Sequence, residues 1–209
     1  MGFTIIVLLS VGLGIAVVVG RRFNRTRAQL YIRILEEQFS PVAPEYVTLG
    51  RELGYGFEYN LDGPVDRVEG ILTLLPRYAP LYLPIARMLG RQDLLKLTFH
   101  FPGTLPAGVG ALVHTNCTVS RWSSVEHDDD WREETVEQDG QVYTLYYYNP
   151  IIAERLRSIL PKISEIKNLN QITLDSRRNS VTVFVTPQQN WIKLDVERVA
   201  ALVFSLTAA

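Results

Sequence analysis

The sequence is poor in the residues that usually carry chemistry or covalent cross-links. Its 209 residues include one cysteine, Cys117, and three histidines. A lone cysteine excludes a disulfide scaffold within the chain, and it fits a reducing compartment. His100, His114 and His127 stand outside any HExxH spacing, and there is no Cys-x-x-Cys pair, so short-range zinc patterns are absent. There is no GxSxG elbow, and the glycines at 54 and 56 or at 108 and 110 complete neither a dinucleotide fingerprint nor a P-loop. An excess of either charge is also missing, with 21 basic groups against 22 acidic ones and a hydrophobic share of 47%. That balance excludes a largely disordered chain, a collagen-like repeat and a basic nucleic-acid coat. No cofactor and no nucleic-acid partner is expected.

What is present is unevenly placed. Residues 1–20 contain no ionisable side chain, and residues 3–20 read FTIIVLLSVGLGIAVVVG. At 1.5 Å per residue that run spans about 27 Å, close to the hydrocarbon thickness of a bilayer. Five arginines and no acid follow within residues 21–35. Arg21, Arg22, Arg25 and Arg27 are expected to anchor the helix end at the membrane interface by snorkelling. A cleaved secretory signal competes with this reading. Such a signal places its basic residues before the apolar run and a small-x-small site after it, whereas here the basic residues follow and Ala16, Val17 and Val18 make a poor site. The pattern is that of an uncleaved signal-anchor with the lipid bilayer as its first partner. The positive-inside rule puts the N-terminus outside and the body in the cytoplasm of a single-pass protein. With five of the 21 basic residues in the collar, 16 remain against 22 acids. A basic neck therefore carries an acidic body of net charge −6.

The chain divides into a transmembrane anchor at 1–20, a basic collar and amphipathic helix at 21–40, and an α+β domain at 41–209. In the second segment Leu30, Tyr31, Ile34, Leu35 and Phe39 recur at spacings that share a helical face. That face has three destinations open to it: the domain, another subunit or the membrane surface. Residues 41–50, with Pro41 and Pro44, read as a connector.

Beyond them the period changes to two. Leu53, Tyr55, Phe57 and Tyr59 alternate with Gly54, Gly56, Glu58 and Asn60, and Val68, Gly70, Leu72 and Leu74 with Glu69, Ile71 and Thr73, which predicts an antiparallel hairpin. Three prolines in LPRYAPLYLPIARMLG forbid one continuous helix and predict an extended crossing, then a short helix from Pro84 to a stop at Gly90. Strands follow at 95–101 and 109–113. Residues 120–141 read as a surface loop or twisted hairpin edge, with Asp139-Gly140 a turn. A strand at 142–148 leads into a helix opened by Asn149-Pro150, which Pro161 is placed to kink or end. Strands at 170–175 and 180–186 precede a final helix at 195–206 with Asp195 as its cap. No βαβ alternation occurs, so the expected fold is α+β: an N-terminal transmembrane helix, then one domain with a mainly antiparallel sheet and C-terminal helices.

Candidate sites are few. Tyr146, Tyr147 and Tyr148 place aromatic rings on both faces of one strand, and Trp122 and Trp131 flank an acidic loop. Aromatics in such positions suit a protein interface. His127, Asp128 and Asp130 are weak metal candidates, since carboxylates and an imidazole can hold a divalent ion; a solvated acidic loop is the simpler reading. The function expected from these features is a membrane-tethered, non-enzymatic domain that binds a protein, as an accessory or assembly subunit of a membrane complex. The alternative is a membrane-associated enzyme or small-ligand-binding domain, with a His/Asp/Glu site gathered from His100, His114, Glu126 and His127. A third reading lays the body on the leaflet through the amphipathic neck and the apolar final helix.

Overall fold

The computed structural model describes residues 2–50, 53–105, 109–115 and 131–206. One helix, α1 (Gly2–Phe39), carries the apolar run straight into the amphipathic segment without a break. It is long and apolar enough to cross a membrane, reaching a mean hydropathy of 2.7 over 18 residues. The strands are β1 (Glu45–Leu49), β2 (Gly54–Asn60), β3 (Arg67–Thr73), β4 (Leu94–His100), β5 (Val109–His114), β6 (Arg132–Gln138), β7 (Gln141–Tyr147), β8 (Leu169–Asp175) and β9 (Ser180–Val185). Three further helices are α2 (Leu83–Met88), α3 (Pro150–Ser164) and α4 (Ile192–Ser205). The described strands form one antiparallel sheet in the order β1-β2-β3-β4-β9-β8-β5-β7-β6. The α+β expectation is met.

Helices cover one face of that sheet. Phe57, Val68, Leu72, Leu95, Leu97, Phe99, Val183, Ile172, Leu112 and Leu145 point to this side and are buried. The second half of α1 packs there with α4, and α3 lies over β5 and β7. Of the three destinations for the neck's apolar face, the domain is the one found. Ala28, Tyr31, Leu35 and Phe39 are buried in the core. Val196, Val199, Ala200 and Val203 of α4 join the same core. Neither stripe is left to lie on a leaflet, which removes the basis of the third reading.

Local chemistry explains most boundaries. Asp139 (φ 52°) and Gly140 (φ 73°) make the two-residue turn between β6 and β7, the conformation this dipeptide favours. The Asn149 side chain accepts from the Ile151 N–H at 3.0 Å, capping α3 ahead of Pro150. Phe57 pairs with Gly70 across β2 and β3, and the ring occupies the space a side chain at 70 would need.

Three expectations are corrected. The connector at 41–50 contains a strand, β1, whose residues are all exposed; with no buried face it shows no alternation. Pro161 does not end α3, which continues to Ser164 because Ile159, Leu160 and Ile163 are all held in the core. The cap of α4 is Trp191, not Asp195. Asp195 sits inside the first turn, fully buried, and accepts from the Asn168 amide at 2.7 Å.

Candidate functional site

The best-built polar site lies where α1 meets the domain. Counting back along the helix from Phe39, the inward positions are 35, 31, 28, 24 and 20, spaced by four or three residues as one helical face requires. The last two are Asn24 and Gly20. Asn24 is wholly buried, and its amide donates to the Leu75 carbonyl at 2.8 Å while its oxygen accepts from Arg77 at 3.1 Å. At Gly20 the helix touches the chain itself: a Cβ would stand 2.1 Å from the Arg77 carbonyl oxygen and 2.7 Å from the Tyr78 nitrogen. Only glycine admits that approach.

Asp93, at the foot of β4, ties the two pieces together. Its carboxylate accepts both arms of Arg77 at 2.9 and 2.8 Å, the Leu75 N–H at 2.8 Å and Arg27 at 3.1 Å. Charge-assisted forked pairs of this kind are directional as well as strong. The Phe23 ring lies beneath the guanidinium carbons of Arg27 and Arg77, 4.7 and 5.2 Å from its centroid. One turn further along, the Tyr31 hydroxyl donates to the Pro187 carbonyl at 3.1 Å. Burial raises the pKa of that hydroxyl, with Arg27 pulling the other way. Helix, β3–β4 connection and β9–α4 connection are thus locked at one place.

The basic collar divides accordingly. Arg21, Arg22 and Arg25 are exposed, and Arg21 reaches over the Tyr78 ring. Arg27 is turned into the ion pair with Asp93. Among the tyrosines, Tyr147 packs against the core, Tyr146 lies on the opposite face of the sheet beside Glu133, and Tyr148 is exposed. Trp131 stands partly buried just before β6. Trp122, Cys117, Glu126, His127, Asp128 and Asp130 lie outside the described residues.

The two described histidines do not come together. His100 faces away from the helices, with Nε2 3.2 Å from Glu69 Oε1. His114 faces the helix side, its ring edge-on to Tyr143. Burial lowers the His114 pKa. β9 and β8 separate their strands, so three strand spacings, roughly 14 Å, and the sheet itself lie between them. Among the described residues no group of three or more His, Cys, Asp or Glu is placed to hold a metal.

A second feature is the sheet's outer edge at β1. Tyr46, Val47 and Leu49 are 43, 61 and 42% exposed. The strand is pinned to the end of α1 through the Tyr46 hydroxyl, which donates to Glu36 and lies 3.2 Å from the Tyr59 hydroxyl. Burial and the neighbouring Glu36 carboxylate push the Tyr46 pKa up to about 12. Arg77, Asp93 and β1 were not singled out by sequence reasoning, and neither was the burial of Asn24. For the junction a signal existed, since the helical period that marks Tyr31, Leu35 and Phe39 continues backward through Asn24 to Gly20. No protein-family model matches the chain, and no curated protein matches it.

Proposed function

We propose that this protein is a single-pass membrane-tethered accessory or assembly subunit whose C-terminal domain binds another protein at the membrane. The N-terminus lies outside and the domain in the cytoplasm, an orientation supported by the arginines that directly follow the apolar run. The tether is stiff. Because α1 enters the core rather than ending in a linker, the domain is carried at a fixed height and angle.

The observation that carries the binding reading is the contrast between the two sheet edges. Edge strands expose unpaired backbone groups, and proteins ordinarily protect them with charges. β6 conforms, with Arg132, Glu133 and Glu137 exposed. β1 has a single charge, Glu45 at its start, and otherwise presents Tyr46, Val47 and Leu49 beside Thr48. Such an edge suits strand addition by a partner, with backbone hydrogen bonds supplying affinity and side-chain pockets supplying choice.

The test is recovery of the tagged full chain from gently solubilised membranes, beside Val47→Lys. Companions should come with the wild type and be lost with Val47→Lys, while unfolding shifts by no more than about 0.5 kcal/mol, as for other exposed positions. Recovery of the wild type as a lone monomer would end the proposal. A reporter fused to the C-terminus and active only outside the cell would overturn the orientation.

A further inference from the structure

We propose that α2 and the turn before it are a second membrane contact, with Leu81, Tyr82, Ile85, Met88 and Leu89 entering the interface of the leaflet from which α1 emerges. This inference rests on the tether reading above, and it adds a part of the domain that touches lipid.

Four observations carry it. The five residues recur at spacings of three and four, so they form one stripe. They are 75, 38, 52, 87 and 64% exposed, while Ala86 on the inner side is fully buried. A stripe this apolar and this exposed beside a soluble core calls for a non-aqueous neighbour.

Position supplies that neighbour. The connection leading to α2 touches α1 at Gly20, the final residue of the apolar run. From Tyr78, which also lies under Arg21, only three residues lead to Leu81, at most about 10 Å of chain. Interfacial helices sit about 5–10 Å into the headgroup and acyl boundary. The stripe is therefore within reach of the layer in which such helices bind.

Charge agrees. Residues 70–92 contain Arg77, Arg87 and Arg91 and no acidic residue, although the body as a whole is acidic. Arg91 stands over the Tyr82 ring, 5.9 Å from its centroid. Tyrosines with arginines around an apolar stripe are what a headgroup layer with anionic lipids attracts.

Rigidity completes the case. Asp93, Arg77 and Asn24 clamp the start and end of this connection to α1. The stripe therefore cannot drift from the exit point of the helix. With α1 as one fixed point and α2 as another, the domain's tilt on the membrane is set.

The test uses the full chain in a Cys117→Ser background, reconstituted into vesicles of neutral and anionic phospholipid. An environment-sensitive fluorophore is attached through Met88→Cys, Val11→Cys or Thr135→Cys in separate preparations, with nitroxide placed either near the head or deep in the acyl chain. The Met88 probe should shift to the blue and be quenched at least about twofold more by the shallow nitroxide than by the deep one, as interfacial placement requires. The Val11 probe should be quenched most by the deep nitroxide, and the Thr135 probe on β6 should respond to neither. A Met88 probe that stays unquenched while the Val11 probe is quenched overturns the α2 contact and leaves the tether standing. A blue-shifted but unquenched Met88 probe means that protein, such as a second copy, covers the stripe, and this also overturns it. Failure of the Val11 probe to be quenched overturns the tether itself. Quenching of the Thr135 probe to the same extent would show unspecific adhesion and overturn the assignment to α2.

Discussion

Arg77 grips Asp93 with both arms of its guanidinium, at 2.9 and 2.8 Å, in a position where the carboxylate is only 5% exposed. The pair is enclosed by two elements that must not separate, α1 and the β3–β4 connection. Removing one partner of a buried pair strands the other and costs about 3–5 kcal/mol. Asp93→Ala should fall in that range, since it takes the carboxylate from Arg77 and Arg27 and the acceptor from the Leu75 N–H together, leaving Arg77 only Asn24. Arg77→Lys should cost less but more than a surface change, because an ammonium cannot reproduce the fork. Thermal unfolding of the full chain in detergent, with a double-mutant cycle between positions 77 and 93, measures the coupling.

Gly20 and Gly14 lie on the same helix but in opposite circumstances. Nothing approaches a Cβ at Gly14, whereas one at Gly20 would meet the Arg77 backbone at 2.1 Å. Helix propensity alone favours alanine at either by about 1 kcal/mol. Gly20→Ala should nevertheless destabilise by about 1–3 kcal/mol, the usual cost of overpacking, and Gly14→Ala should not destabilise. Comparison of the two midpoints in the same detergent decides the matter. An unchanged midpoint for Gly20→Ala would mean that the contact yields at no cost.

The sequence made elements legible where one face is buried and the other wet. β2, β3 and β4 announced themselves through Phe57, Leu72 and Leu97, and α3 through Asn149-Pro150. β1 was hidden because each of its residues, Glu45–Leu49, stays exposed, so no buried face imposes a period. Strand order was hidden as well. That β9 lies beside β4, and β8 beside β5, follows from long-range pairing that no local pattern encodes. The candidate site suffered from a different difficulty. Asn24 sits within an arginine-rich stretch that reads naturally as a headgroup anchor, and its burial depends on Leu75 and Arg77, some fifty residues away.

Gly70 offers a test of packing between strands. Phe57 lies so close across the pair that a Cβ at 70 would stand 1.8 Å from its Cζ. The ring also contacts Tyr59, with centroids 4.8 Å apart, so it has little room to retreat. Gly70→Ala should cost about 1–3 kcal/mol by overpacking, despite alanine's advantage in unfolded-state entropy. Combining it with Phe57→Leu should cost less than the sum of the two single changes, because the smaller side chain vacates the space. Additive losses in denaturant titrations would argue against this coupling.

Asp195 gives the pH dependence an unusual sign. It is fully buried in the first turn of α4, with Oδ2 accepting from Asn168 and Oδ1 without a partner among the described residues. Desolvation raises its pKa, outweighing the hydrogen bonds from Asn168 and the Lys167 backbone. In the window above the ordinary carboxylate value the folded state then binds more protons than the unfolded one, so stability falls as pH rises through it. The penalty is complete above the folded-state pKa and absent below the unfolded one. Relative to Asp195→Asn, whose side chain does not titrate, the wild type should therefore gain stability as the pH is lowered from 7 toward 4. Unfolding midpoints of both proteins at matched pH values provide the measurement. A difference that stays constant, or that grows in favour of Asp195→Asn on acidification, would show that the buried carboxyl is ionised at no cost in the folded protein.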